Sequence, residues 1–250
     1  MHFLGHSCVR IEIGGRVVLT DPVLTARVGP LVRVVPLPDR ATWADADLVL
    51  ISHQHGDHLH LPSLRLLRHA RIVVPRGAGA WLHRKGFPRV EELGVGERLV
   101  DGDLTVTAVH AEHSGHRWGP RLTHGPHAPA IGHVLEAEKR IYVAGDTDIY
   151  DGMADLGPVD IALLPVWGWG MTLGPGHLDP LGAAAAVELI KPGVAVPVHW
   201  GTLALPGVAR TARMRRLLSE PAHDFAAAVS TNTEVVVAPP GSEVMHEPGA

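Results

Sequence analysis

One short segment carries the strongest chemical signal in this chain: His53-Gln54-His55-Gly56-Asp57-His58. Its three imidazoles and one carboxylate belong to the side-chain types that zinc and similar divalent metals bind. The apolar residues 48–51 precede it and predict a buried strand, so a loop at the end of this strand can direct all four side chains to one point. A solvated, histidine-rich loop is the alternative interpretation, and the spacing favours the metal site.

Four more polar residues each follow or end an apolar, strand-like run: Asp21, His110, Asp146 and His199. Because ligands gather where strand ends meet in layered folds, we expect these side chains to lie near the first motif. His113 and His116 compete with His110 for the third histidine position, and His110 is preferred since it alone stands at a strand end. Asp146 could instead cap a turn, and His199 could be a buried histidine with satisfied hydrogen bonds.

The order of these motifs resembles that of the metallo-β-lactamase superfamily. The pattern H-x-H-x-D-H is followed by a His, then by Gly-Asp-Thr, then by His-x-Gly-Thr. The opening Phe-Leu-Gly-His-Ser with the later Thr-Asp-Pro resembles the branch of N-acyl-phosphatidylethanolamine phospholipase D and the ascorbate-6-phosphate lactonase-like hydrolases. The resemblance runs from residue 3 to about residue 202.

That resemblance implies two divalent ions in one cluster, with zinc preferred and manganese or iron able to use the same ligands. The first ion would be held by His53, His55 and His110. The second would be held by Asp57, His58 and His199, and Asp146 would bridge the two. Asp21 would support a ligating imidazole from outside the ligand set, and His6 either does the same or is a structural hydrogen bonder.

Residues between the Asp146 and His199 motifs are candidates for contact with the substrate. Trp167 and Trp169 lie on a glycine-rich loop and form either a pocket wall or ordinary packing. His177 precedes a predicted helix and resembles a proton donor or substrate-orienting residue, although it could be a simple polar residue before that helix. Asp57 and His177 are the candidate catalytic residues.

The expected chemistry is attack by a metal-bound hydroxide on an ester, lactone or phosphodiester. The alternatives are an iron-dependent oxygenase or redox protein of the same fold, and a nuclease of the superfamily. Net charge is −4, and no basic amphipathic helix is evident. We therefore expect a small-molecule substrate, with no nucleic-acid partner and no stable membrane association, and leave the oligomeric state open.

Composition predicts one globular domain spanning residues 1–250. The resemblance implies the metallo-β-lactamase fold, an α/β (α+β) protein built as a four-layer αββα sandwich. A single cysteine, Cys8, and an N-terminus without a secretory pattern predict a cytoplasmic protein. Strands are predicted at 9–13 and 16–20 as a hairpin, residues 22–40 as an irregular loop, and residues 114–130 as a mobile loop. Helices are predicted at 62–69, at 180–190 and twice within 208–229.

Overall fold

The computed structural model describes residues 1–118 and 125–244. Its strands are, in chain order, β1 (His2–Gly5), β2 (Cys8–Ile13), β3 (Arg16–Thr20), β4 (Arg27–Val28), β5 (Leu31–Arg33), β6 (Leu48–Leu50), β7 (Arg71–Pro75), β8 (Val90–Leu93), β9 (Arg98–Asp101), β10 (Leu104–His110), β11 (Ile131–Glu136), β12 (Arg140–Val143), β13 (Ile161–Pro165), β14 (Val194–Val198), β15 (Leu203–Ala204), β16 (Glu234–Val235) and β17 (Ser242–Glu243). The α-helices are α1 (Leu61–Leu66), α2 (Gly79–Arg84), α3 (Pro180–Ile190), α4 (Ala212–Ser219) and α5 (Pro221–Ala228). Single 3₁₀ segments lie at Arg40–Thr42 and Asp151–Leu156.

Within the described residues the strands form two seven-stranded sheets and one small sheet. The first sheet has the order β17-β1-β2-β3-β6-β7-β8, and the second has the order β16-β14-β13-β12-β11-β10-β9. In each sheet, antiparallel hairpins occupy one side and parallel strands occupy the other. The carboxyl ends of parallel strands share an edge, so the residues that follow β3, β6, β12 and β14 can meet there.

The hydrophobic core lies in layers on both faces of the first sheet. In β7, Val73 packs into the core between the two sheets, whereas Ile72 and Val74 pack toward α1 and α2. Alternate side chains of a strand point to opposite faces, so burial on both faces explains why this strand is continuously apolar. The second sheet is covered by α3 and α5, whose Val187 and Phe225 join the inter-sheet cluster. The predicted αββα sandwich is confirmed.

Local sequence explains the longest helix, α3. The Asp179 carboxylate accepts a hydrogen bond from the backbone N–H of Gly182 at 2.8 Å, and Pro180 occupies the first turn. The helix ends at Lys191, which adopts a left-handed conformation with φ of 52°. This helix matches the predicted range 180–190 and fixes the position of the preceding His177 loop.

Non-local pairing accounts for the largest departure from the predicted elements. Residues 22–40 are not wholly irregular, because β4 and β5 lie within them and pair with each other, and β5 also pairs with β15 from far along the chain. No local pattern marks strands of two or three residues. Within the predicted 114–130 loop, residues 119–124 lie outside the described residues, and the assignment of 1–250 to one domain stays a prediction. Across residues 1–118 and 125–244, none of the helices has the length and apolar character needed to cross a membrane.

Candidate metal centre

Three histidines converge on one point at the end of β6 and beyond β10. The Nδ1 atom of His55 lies 2.9 Å from Nε2 of His53 and 3.1 Å from Nε2 of His113. His53 is fully buried, and the other two are partly buried. Three imidazole nitrogens that approach each other this closely have the spacing of ligands around a single ion.

A second group lies beside the first and combines His6, Asp57, His58 and His199. The Nε2 atoms of His58 and His199 are 3.1 Å apart, and Nε2 of His6 lies 3.1 Å from Oδ2 of Asp57. His6 was expected to be a supporting residue. It stands within ligand distance of the others, so its ring can either join the ligand set or hold the Asp57 carboxylate in place.

Asp146 lies between the two groups. Its Oδ2 atom is 3.2 Å from Nε2 of His58 and 3.9 Å from Nε2 of His53, and its Oδ1 atom is 3.2 Å from Nε2 of His199. This carboxylate follows β12 and is buried. Oδ2 thus faces imidazoles of both groups and Oδ1 faces the second group, so this carboxylate stands where it could screen the mutual repulsion of two cations.

The structure contradicts the assignment of His110 and favours the alternative, His113. His110 does end β10, but its side chain is 49% exposed, pairs with Glu112 at 3.3 Å and packs edge-on against Tyr150. The chain continues past the strand and is held there by a hydrogen bond from the N–H of Glu112 to Oγ1 of Thr147. That anchoring carries His113 next to Asp146. His116 packs against His127 instead of joining the cluster.

In most of the converging imidazoles, the ring nitrogen that points away from the cluster contacts an oxygen atom. Nδ1 of His113 donates to the carbonyl of Gly176 at 2.6 Å, and Nδ1 of His199 donates to the carbonyl of Trp167 at 2.6 Å. Nδ1 of His53 lies 2.9 Å from Oγ of Ser52. Such contacts fix the ring and leave the opposite nitrogen free to bind a metal, as in most protein metal sites.

Asp21 performs this holding role for His58, as expected. Its Oδ2 atom accepts hydrogen bonds from Nδ1 of His58 at 2.8 Å and from the hydroxyl of Ser52 at 2.6 Å. Its Oδ1 atom accepts from the backbone N–H of Ser52 at 2.8 Å. Asp21 lies outside the converging group and orients one of its members.

We expect Asp21→Ala to weaken metal retention by roughly 10–100-fold while all converging side chains remain. The imidazole of His58 would lose the acceptor that fixes its orientation. Competition with a chromophoric chelator measures the change. Unaltered metal affinity and unaltered activity would contradict the role of Asp21.

Backbone strain is concentrated at this site. Four non-glycine residues of the described part have positive φ, and three of them are His6 (58°), Asp21 (34°) and His199 (63°). Side chains of these types disfavour the left-handed region, which costs on the order of 1–3 kcal/mol each. The surrounding hydrogen bonds, including that from the N–H of His199 to the carbonyl of His6 at 2.7 Å, hold this geometry.

Burial and neighbouring charges shift the pKa values of the converging imidazoles and so decide which of them are neutral, the form that binds a metal. Burial lowers the pKa of His55 to about 4 and that of His199 to about 3, so both are neutral near pH 7. Burial also lowers the pKa of His53 well below its ordinary value. At His58 burial acts in the same direction, but the charges of Asp146 and Asp21 outweigh it and raise the pKa of His58 well above its ordinary value. A metal ion would have to displace that proton.

One buried polar atom supports the fit of a metal. Oδ1 of Asp146 has no hydrogen-bond partner among the described residues, and it lies 3.2 Å from Nε2 of His199. A buried polar atom without a partner is costly, and a carboxylate oxygen facing converging nitrogens gains most from a cation. The donor set of imidazoles and carboxylates therefore suits borderline divalent metals such as zinc.

Arg117 is a supporting residue that the sequence did not reveal. Its Nη1 group donates to the carbonyls of Gln54 and Leu59, the latter at 2.8 Å. Its guanidinium carbon lies 5.2 Å from the ring centre of Trp81 and 5.5 Å from that of Trp118. One planar donor thus ties together both ends of the loop that contains His55, Asp57 and His58.

We expect Arg117→Lys to loosen this loop, because lysine keeps the charge but lacks the planar guanidinium. Metal retention should fall roughly 10-fold, and amide hydrogen exchange at residues 54–59 should accelerate. Arg84→Lys is the matched control, since Arg84 is exposed on α2. Equal exchange in both variants would refute the positioning role.

A cavity of about 460 Å³ adjoins the cluster. His177 lines it and also places its Nε2 atom 3.6 Å from Oδ2 of Asp146. Trp167 lines the same cavity. Trp169 is 38% exposed and does not line this cavity, so contact of either tryptophan with a substrate stays a prediction.

Comparison with known proteins identifies a family and agrees with this fold. The model of the beta-lactamase superfamily domain matches residues 16–200. The chain is 34% identical over 241 residues to an uncharacterized protein of Mycobacterium tuberculosis, covering 88% of this chain and spanning 64% of that protein's length. It is 32% identical over 253 residues to a UPF0173 metal-dependent hydrolase of Thermococcus kodakarensis, covering 97% of each.

Among solved structures, Igni18, a metallo hydrolase of Ignicoccus hospitalis, superposes with a TM-score of 0.72. The match covers 96% of this chain and 94% of that chain at 23% sequence identity, so it establishes the likeness of fold.

Proposed function

Because the chain belongs to the beta-lactamase superfamily, we propose that it is a metal-dependent hydrolase of a small molecule. The bond cleaved is an ester, lactone or phosphodiester, and the metal centre holds two divalent ions, with zinc first among the candidates. We further propose that the protein acts in the cytoplasm and that it falls in the branch of the phospholipase D-like and lactonase-like enzymes.

A single observation carries this proposal, namely that two groups of ligand-type side chains share Asp146. The first group would be His53, His55 and His113, and the second would be Asp57, His58 and His199, with His6 beside it. A structural zinc site is closed by four protein ligands of its own, whereas seven side chains shared by two ions are one fewer than two such closed sites would use, which leaves a position for water or substrate.

Ions bound here would lower the pKa of a coordinated water toward about 7 and polarise the bond to be cleaved. The residues of the chain would do the remaining work. Asp146 and Asp57 supply the negative charge that balances the cations, and the buried imidazoles exclude bulk water from this side of the cavity. His177 faces Asp146 from the cavity wall, where its Nε2 atom could give a proton to the leaving group.

We expect His177→Ala to retain both metals and the fold but to slow turnover by roughly 10²–10⁴-fold. Among the described residues the side chain hydrogen-bonds with the nearby carbonyls of Gly174 and Pro175 and approaches Asp146 and His113 without a hydrogen bond, so its removal should leave the converging ligands in place. The loss should appear in kcat if His177 transfers a proton and in KM if it only holds substrate. Loss of a metal ion would make His177 a ligand, and full activity would refute the proposed role.

Elemental analysis of the purified protein, followed by a panel of ester, lactone and phosphodiester substrates, tests the proposed function. Two ions per chain and hydrolysis that chelators abolish would support it. Bound iron together with oxygen uptake would replace it with the oxygenase alternative. Cleavage confined to nucleic acid would replace the small-molecule substrate with the nuclease alternative.

A further inference from the structure

The cavity beside the cluster is lined by both apolar and charged side chains. Apolar side chains form much of its lining, among them Trp167, Met171, Leu173 and Leu178. Its volume of about 460 Å³ lies within the range of about 300–1,000 Å³ for small-molecule sites. The cavity and the metal cluster share a wall, because Trp167 lines the cavity and its carbonyl accepts the hydrogen bond of His199.

One cationic side chain, Arg213, reaches this cavity from a different element. It lies in the first turn of α4, and its Nη2 group donates to the carbonyl of Met171 at 3.1 Å. That bond fixes the guanidinium against the loop that carries Trp167 and His177. Within residues 1–118 and 125–244, Arg213 forms no ion pair with a carboxylate. Its remaining N–H donors are therefore available to a ligand.

The two carboxylates of the lining limit the charge that the cavity accepts. Asp179 caps α3, and Asp148 accepts a hydrogen bond from the N–H of Ile149 at 2.9 Å. A second anionic group on the ligand would lie close to these two carboxylates and would face repulsion. A ligand with one anionic group next to Arg213 and an apolar body against Trp167 would match both the charge and the apolar lining of the cavity.

We propose that this cavity binds the substrate as an amphipathic monoanion, with Arg213 as the specificity-determining residue for the anionic group. This inference rests on the proposed hydrolase function and names its substrate class. The ligand carries a single carboxylate or comparable anion at one end, an apolar middle, and the reacting bond near His177. A polyanionic ligand such as a nucleoside triphosphate does not fit this charge distribution.

Binding of matched probes tests the anion site without requiring turnover. We expect 4-phenylbutyrate to bind about 10-fold more tightly than 4-phenylbutyramide, which has the same shape and no charge. Arg213→Gln should remove this preference, and Arg213→Lys should retain part of it. Arg216→Gln is the control, because Arg216 lies on the same helix but outside the lining and is 3.8 Å from Glu220.

The outcomes separate this inference from the proposed function. Equal affinity for the acid and the amide, or acid binding that survives Arg213→Gln because a metal holds it, would overturn the role of Arg213. Selective acid binding that needs Arg213 would support the anion site, even in a protein that hydrolyses nothing on the panel.

Steady-state kinetics with a matched pair of substrates provide a second test of the anion site. The mono-phenyl ester of glutaric acid should show a KM about 10-fold below that of the methyl phenyl diester, and Arg213→Gln should erase the difference with little change in kcat. Hydrolysis of both esters at equal KM would overturn the monoanion proposal and leave the hydrolase proposal standing.

Discussion

Asp146→Asn is expected to abolish turnover, with a loss of at least about 10⁴-fold. The substitution preserves the shape of the side chain and removes the charge placed between the two groups of ligands. Each ion of the proposed centre would supply several kcal/mol of transition-state stabilisation, and every 1.36 kcal/mol is a factor of ten in rate. Since the Asp146 carboxylate lies within 4.0 Å of imidazoles from both groups, loss of its charge should affect both ions.

Metal content measured after dialysis, together with kcat on the best panel substrate, checks this expectation. We expect fewer than two ions per chain in Asp146→Asn. Asp148→Asn is the matched control, since Asp148 stands two residues further along and only lines the cavity, and it should retain both ions. Two tightly held ions and normal turnover in Asp146→Asn would contradict the bridging position.

His113→Ala is expected to lower affinity for the first ion by more than about 100-fold. Loss of an outer partner alone costs 10–100-fold, and a direct ligand contributes more. The ion would keep His53 and His55, but the empty third position would admit water. Turnover should fall with the ion, while the second group stays intact.

The control for this variant is His110→Ala, which changes the residue that the strand pattern favoured. His110 is exposed and paired with Glu112, so its removal should leave metal content and turnover unchanged. Titration of both variants with zinc distinguishes them directly. A reversed result, with loss of metal in His110→Ala alone, would restore the original assignment.

The contrast between these two histidines shows what local sequence can specify. The motif from His53 to His58 lies on one short loop, so its spacing alone predicts that its side chains converge. His113 is placed by contacts to Thr147 and Gly176, which come from distant parts of the chain. A pattern of strand and terminal residue cannot reveal such contacts, so it favoured His110.

The same reasoning explains the other differences. The helix α3 was predictable because its cap, its proline and its buried face are all local. The small sheet formed by β4, β5 and β15 depends on pairing between residues far apart in sequence. Arg117 and Arg213 look like ordinary surface arginines until the fold brings them to the carbonyls of Gln54 and Met171.

The position of the cluster between the two sheets has a consequence for unfolding. His53 and His58 follow a strand of the first sheet, whereas Asp146 and His199 follow strands of the second. A bound ion would therefore join the two halves of the chain as a reversible cross-link, and it would stabilise the folded state because the site is assembled only in the folded chain. Removing the metal should therefore lower the melting temperature of the protein. The centre would hold the two sheets together as well as carry out the reaction.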